Sequence, residues 1–489
     1  MAFDIPTVWE FLGDTIWIFL VINGILVIFT VIFVQKKRPE AVLVWIMAFL
    51  ILPLFFVLLF YVVLGRDHRH RKMFHNKAEV DREVDSILDK IKGDFFATDF
   101  SKLGLGHNEP LARMLFNSNR SFITSDNEVE YYNEGDRLFK DMLEEIKAAK
   151  RFVHMEFYII RNDRLAKEFA QALAQKAKEG VEVKLLMDAV GCHKLPKKFF
   201  KELTDAGGRT AEFFPSPIRS LNLDMNNRNH RKLLILDGDT AFIGGYNIGL
   251  EYQGEGKLGH WRDDMVRVRG SGSISAEKRF VLDWNFAAKD HIKVEDYAPT
   301  KPGSGKAILQ VVSGGPDTDA KPIEEQYVKM ITSAKEYVYI QTPYFVPSEA
   351  VIAALVAAAK SGVEVRVMMP SKPDHPFVYW ASLFNAGEVL QSRVRIHQFK
   401  KEGFIHAKVL VMDDAVASIG SANFDRRSFE LNFETNAVVY DKEFAQKVKS
   451  AYIDDIAHWC TELTLEEYQK RSRGVKFKES ISRLYTPIA

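Results

Sequence analysis

Residues 230–237 read His230-Arg231-Lys232-Leu233-Leu234-Ile235-Leu236-Asp237, and residues 406–413 read His406-Ala407-Lys408-Val409-Leu410-Val411-Met412-Asp413. Each stretch is His-x-Lys, four apolar residues, then Asp. The correspondence extends beyond the motif, because Asn247 and Asn423 each lie 17 residues after their histidine. A small-residue turn precedes each Asn, Ile243-Gly244-Gly245 in one copy and Ile419-Gly420-Ser421 in the other. Two matches that share a downstream Asn mark a duplicated site.

The residue types have a chemical reason. In an extended strand, positions i and i+2 project from one face. His and Lys therefore stand side by side while the apolar residues anchor the strand. A neutral imidazole can attack phosphorus or move a proton near neutral pH. A lysine beside it supplies positive charge where phosphoryl oxygens gain negative charge. The amides of Asn247 and Asn423 can donate to the same oxygens. Asp237 and Asp413 close the motif an odd number of residues from the histidine, so they face away from it and read as structural, tying down the turn.

The paired motif resembles the phospholipase D superfamily, and within it most resembles the bacterial cardiolipin synthases, from about residue 110 to the C-terminus. The resemblance implies a single site at the interface of two similar halves. It implies that His230 is the nucleophile, forming a phosphohistidine, and that His406 protonates the leaving group; the symmetry of the sequence does not choose between them. It also implies that Lys232, Lys408, Asn247 and Asn423 hold the phosphoryl oxygens, with Gly245 and Ser421 lining the turn. Neither a metal nor a cofactor is then required. Members of the superfamily usually orient each histidine with an acid just before a later apolar strand. Asp263 fits that position in the first half, with Asp264 adjacent to it, and Glu434 fits it in the second.

Two long apolar runs precede the repeat. Residues 15–34 and 41–64 are uncharged and long enough to cross a bilayer, the second interrupted only by Pro53. They read as a transmembrane hairpin over residues 1–65. A signal peptide is excluded by Asp4, Glu10 and Asp14 before the first run and by the second run after it. Arg66, Arg69, Arg71, Lys72, Lys77 and Arg82 follow the hairpin and outnumber Lys36, Lys37 and Arg38 in its loop, placing the globular part on the cytoplasmic side. The basic run, with His68, His70 and His75, reads as a juxtamembrane anchor. Residues 66–110 form a polar linker with one amphipathic helix carrying Val80, Val84, Ile87, Leu88 and Ile91.

The remainder is an internal repeat. Helical spacing at Leu138, Phe139, Met142, Leu143 and Ile146 matches Ile323, Tyr327, Met330 and Ile331. Strands 152–159 and 337–342 follow, then alanine-rich helices 165–178 and 349–360. Those helices run into Gly180-Val-Glu-Val-Lys-Leu-Leu-Met and Gly362-Val-Glu-Val-Arg-Val-Met-Met, the helix-to-strand signature of an α/β unit. A linker with Pro299, Pro302, Gly303, Ser304 and Gly305 separates the copies. The expected fold is α/β: two similar phospholipase D-like domains, 111–298 and 306–489, related by a pseudo-twofold axis.

Composition narrows the function. A formal net charge of +1 over 489 residues gives no basic field for nucleic acid. Cys192 and Cys460 make no scaffold or zinc pattern and read as free thiols. His154 reads as a core histidine, and His260 as structural with a possible headgroup contact. The aromatic run 376–380 reads equally as core or as an interfacial patch. No nucleotide-binding loop is present. The resemblance implies a phosphatidyltransferase at a bacterial inner membrane that joins two phosphatidylglycerols into cardiolipin and releases glycerol. A hydrolytic phospholipase D, another phosphatidyltransferase and a nuclease are the alternatives; the sequence leaves acyl preference and oligomeric state open.

Overall fold

The computed structural model describes residues 99–215, 227–300, 302–318 and 320–485, together with residues 17–18, 21–22, 24–25, 77–79, 81–86 and 89. The hairpin expected at 15–34 and 41–64 and the basic run 66–72 lie outside these residues, apart from the few positions of the first run. Those few are helical, with Trp17, Ile18, Val21, Ile22 and Ile25 exposed. Among the described residues no helix is long and apolar enough to cross a membrane. Two compact units divide the chain, one of residues 1–73 with the last three residues and one of residues 74–486. The second carries both motifs.

In the first half the strands are β1 (Ile123–Tyr132), β2 (Phe152–Phe157), β3 (Glu182–Asp188), β4 (Arg209–Phe213), β5 (Lys232–Leu236), β6 (Thr240–Gly244), β7 (His260–Arg262) and β8 (Met265–Arg269). The second half has β9 (Ala307–Gly314), β10 (Tyr337–Gln341), β11 (Glu364–Pro370), β12 (Arg395–Phe399), β13 (Gly403–Ile405), β14 (Val409–Met412), β15 (Val416–Gly420), β16 (Glu434–Tyr440) and β17 (Cys460–Leu463). From centre to edge the first half runs β1-β8-β6-β5-β2-β3-β4, and the second runs β9-β16-β15-β14-β10-β11-β12, with β17 added outside. The order and the parallel or antiparallel sense of each pair match between halves.

The repeated segments fold alike because they carry the same local signals. Helix Arg164–Lys178 starts at Asp163, whose carboxylate accepts from Ala166 N at 3.0 Å. Helix Glu349–Lys360 starts at Ser348, whose hydroxyl accepts from Val351 N at 3.3 Å. Both run into a glycine in the left-handed region, Gly180 at φ +86° and Gly362 at φ +98°, which turns the chain into the next strand. Each half has its own apolar core, built around Leu138, Phe139, Phe169 and Leu234 in one and Tyr327, Leu355, Val367 and Leu410 in the other.

The halves are joined edge to edge, in one 15-stranded sheet. The joint is the antiparallel pair β1–β9, registered through Ile123↔Gln310 and Thr124↔Leu309. The sequence reading assigned neither strand: Ile123–Tyr132 is largely polar, and the apolar run Ala307–Gly314 follows directly on the linker. A second, two-stranded sheet crosses the seam as β13 pairs in parallel with β7, Phe404 opposite Trp261.

Candidate active site

Both motifs begin just before their strands. His230 and His406 lie in extended segments that lead into β5 and β14 and are not strand residues themselves. The expectation of a histidine within the strand is corrected here: the backbone at each histidine is paired to the opposite half. His230 N donates to Phe433 O at 2.9 Å, and His406 N donates to Arg262 O at 2.7 Å. Phe433 and Arg262 are the residues immediately before Glu434 and Asp263. Each histidine is thereby delivered to the acid of the other half.

The side chains complete that exchange. His230 Nδ1 lies 3.0 Å from both carboxylate oxygens of Glu434, and His406 Nδ1 lies 2.6 Å from Asp263 Oδ2. The sequence reading placed one orienting acid in each half without assigning it to a histidine; the structure pairs each acid with the histidine of the other half. Strand order alone does not carry the information, because the seam strands bring the motif of one half beside the acid of the other. Asp264, adjacent to Asp263, turns away: it accepts from Arg262 at 2.7 Å and from the Tyr131 hydroxyl.

With Nδ1 occupied, Nε2 is the ring nitrogen left for chemistry. Each imidazole is only 11% exposed. Burial, reinforced by the lysines of both halves, holds both rings below the usual imidazole range, His406 furthest. The two crossed hydrogen bonds bring both rings to the seam between the halves. Lys232 and Lys408 are fully buried. Burial pushes Lys232 well down and Lys408 down to about 8, against the pull of Glu434 and Asp263. Lys232 Nζ donates to His230 O at 2.6 Å. Lys408 Nζ donates to His406 O and lies 2.6 Å from His406 Nδ1 and 3.8 Å from Asp263.

The acids are buried to different effect. Burial pushes Asp263 up from the usual carboxylate range, with Lys408 opposing. Glu434 resists its burial penalty and is held below that range by His230, Lys232 and Ser421. Ser421 Oγ donates to Glu434 at 2.5 Å, and Ser428 Oγ donates to it at 2.9 Å. Ser421, expected to line the turn, is thus committed to the acid. Gly245 holds the equivalent place in the first half, where a Cβ would stand 2.1 Å from Asp263 Oδ1. A glycine there is what lets Asp263 reach His406.

The asparagines differ. Asn247 Oδ1 accepts from Ile159 N at 3.0 Å, which leaves Nδ2 for a donor role. Asn423 Nδ2 instead donates to Asp425 at 3.2 Å. Asp237 and Asp413 are away from the histidines. Asp237 accepts from the backbone N–H groups of Lys150, Arg151 and Phe152, and Asp413 from those of Lys335, Glu336 and Tyr337. Both sit at positive φ, +54° and +52°, in the turn that follows the strand.

Two rings absent from the sequence reading of the site flank the histidines. Tyr158 lies 4.9 Å from His230 and Trp261 lies 5.0 Å from His406, centroid to centroid. Position offered a signal for both, at the end of β2 and one residue before Arg262. His260 stacks on Trp459 at 4.4 Å, and His154 is buried between Glu277 and Phe280. Among the described residues no group of three or more His, Cys, Asp or Glu side chains is placed to hold a metal ion.

This geometry can be set beside known proteins. A family model described as "Cardiolipin synthase, PLD-like domain" matches residues 142–253 and 327–456, one segment in each half. The chain is 41% identical over 482 residues to a cardiolipin synthase of Staphylococcus aureus, covering 97% of each chain. The chain belongs to the cardiolipin synthase family. Another relative, cardiolipin synthase 1 of Staphylococcus epidermidis, is 42% identical over 491 residues, covering 98% of this chain and 99% of its own. The crystal structure of a phosphatidylserine synthase of Haemophilus influenzae shares the fold, with a TM-score of 0.58 at 13% identity over 77% of this chain and 97% of its own. His230, His406 and Glu434 fall within the two matched segments, whereas Asp263 lies ten residues beyond the first.

Proposed function

We propose that this chain is a cardiolipin synthase that moves the phosphatidyl group of one phosphatidylglycerol to a hydroxyl of a second. Two buried His-x-Lys motifs, each oriented by the other half's acid across one seam, carry this reading; 41% identity to a named cardiolipin synthase over nearly the full length supports it.

The neutral ring of His230 presents the Nε2 lone pair to phosphorus, and Glu434 stabilises the positive charge that grows on the ring as the P–N bond forms. The P–O bond to glycerol breaks, and the imidazolium of His406 gives its proton to the departing alkoxide. The anionic phosphodiester of the bound lipid offsets the burial and the lysine charges that otherwise keep His406 neutral. Neutral His406 then takes the proton of the incoming hydroxyl, whose oxygen attacks phosphorus as the P–N bond breaks. Lys232, Lys408 and Asn247 hold the phosphoryl oxygens through both steps. One phosphodiester replaces another, so the exchange is close to isoenergetic and needs no nucleotide. The apolar runs 15–34 and 41–64 would anchor the enzyme in the inner membrane, where both substrates reside, with the catalytic part on the cytoplasmic side.

The test gives the full-length protein in detergent phosphatidylglycerol and a chelator. Cardiolipin and free glycerol are expected in equal amounts, and His230→Ala and His406→Ala are each expected to abolish both. Phosphatidic acid as the main product, or turnover retained in either variant, would overturn the reading.

A further inference from the structure

Lys77 is the observation that the function leaves unused. The sequence places it among the basic residues after the apolar runs, where a solvated position is expected. Its side chain is instead wholly buried. Nζ donates to Asp317 at 2.6 Å, lies 3.7 Å from Asp283 and 3.7 Å from Asp81, and sits 5.6 Å from the Phe433 ring centroid. Asp283 and Asp317 are themselves 0% and 2% exposed.

The same cluster reaches the first motif. Arg231, between His230 and Lys232, has a wholly buried guanidinium. It pairs with Asp283, donates to Gly314 O at 3.1 Å, and donates to Thr435 Oγ1 at 3.0 Å and Glu434 O at 3.3 Å. It therefore ties the residue beside His230 to the strand that carries His230's own acid. Arg279 completes the group, 3.2 Å from Asp283 and 3.7 Å from Asp81. Three cations, Lys77, Arg231 and Arg279, face three aspartates, Asp81, Asp283 and Asp317. The repeat has no counterpart, since Ala407 occupies the place of Arg231.

Buried ion clusters contribute little net stability, because desolvation offsets most of the attraction; removing one member leaves an unmatched buried charge. Such a cluster fixes geometry. Without Lys77, Asp81, Asp283 and Asp317 face only Arg231 and Arg279, and the one surplus negative charge draws Arg231 away from Gly314 and Thr435. That displacement moves the backbone that holds His230 against Glu434.

We propose that Lys77, on the segment that follows the apolar runs, is a positioning residue for His230, acting through Asp283, Asp317 and Arg231. The proposal rests on His230 being the nucleophile. It makes the segment that follows the apolar runs in sequence part of the first histidine's support, while His406 rests on a separate group, in which Arg262 pairs with Asp455 at 2.8 Å.

The experiment follows glycerol release in the first turnover by rapid mixing of full-length enzyme in detergent with phosphatidylglycerol. Loss of fold lowers the burst amplitude, whereas loss of position lowers the burst rate at full amplitude. Lys77→Met is expected to slow the burst on the order of 100-fold with amplitude and KM retained, as a misplaced reacting group does. Lys77→Arg, which keeps the charge, is expected to restore most of the rate, and Asp317→Asn to slow it as Lys77→Met does. A burst rate within threefold of wild type in Lys77→Met, or a loss confined to amplitude, would overturn the proposal. If Lys77→Met does not fold, Asp317→Asn decides on the same criteria. A normal burst in His230→Ala would instead overturn the proposed function.

Discussion

Glu434→Gln is the substitution that most directly probes the crossed pairing. The amide keeps the shape and removes one negative charge from a position 3.0 Å from His230 Nδ1. Ser421 and Ser428 can rotate their hydroxyls to suit the amide, so folding is disturbed little. The charge lost is the one facing the ring as it becomes cationic. Two unit charges roughly 4 Å apart at an effective dielectric of about 20 interact by about 4 kcal/mol. That is about 10³-fold in rate, since each 1.4 kcal/mol is about tenfold. The assay is rapid quench of labelled phosphatidylglycerol with counting of acid-labile phosphohistidine. Glu434→Gln is expected to slow formation of the intermediate by about 10³-fold, as His230 loses its counter-charge. Asp263→Asn is expected to slow proton delivery by His406, and so to respond to the pKa of the leaving alcohol. Substrates with a more acidic leaving alcohol should rescue Asp263→Asn and not Glu434→Gln. The opposite pattern, with Asp263→Asn depriving His230 and the acidic leaving group rescuing Glu434→Gln, would refute the exchange of acids between halves.

Two further outcomes follow from the burial of charge. Lys408 has its pKa lowered from 10.5 to about 8 by burial, so the unfolded chain binds more protons than the native one between those values. Wild-type stability therefore rises with pH from about 8 to 10.5, and Lys408→Met is expected to be the more stable protein at pH 7, by about 3 kcal/mol on the shift alone; denaturant melts of the two should converge as pH rises through that window, while the variant has lost its activity. Asp413→Ala removes the carboxylate that accepts from three backbone N–H groups and is expected to cost about 2–4 kcal/mol of stability, with the burst rate of the folded fraction unchanged; a slowed burst at full amplitude would place Asp413 in the chemistry.

Much of this site was visible in the chain before folding was considered. The repeated helices, the strands after Gly180 and Gly362 and the two His-x-Lys stretches are local patterns, and local patterns survive in sequence. Asp237 and Asp413, which close the two motifs, lie in the turns after their strands and accept from backbone N–H groups there. The exchange of Asp263 and Glu434 was not legible, because it depends on which backbone lies beside which across the seam. Nor was β1, whose polar residues hide a strand that pairs centrally with β9. Lys77 was the least legible of all. A lysine in a basic run is ordinarily wet, and only the aspartates gathered from helix Ser273–Ala288 and from the turn after β9 make its burial tolerable.

The exchange of acids has a bearing on how such a chain can change over time. A half cut free would hold an imidazole with no counter-ion and a carboxylate with no ring to steer. Two copies of one half, docked by the same edge strands, would each repair the other's deficit. A fused duplication inherits that reciprocity as a constraint: drift in either acid is felt at the distant imidazole, so neither half can retire while its twin carries on.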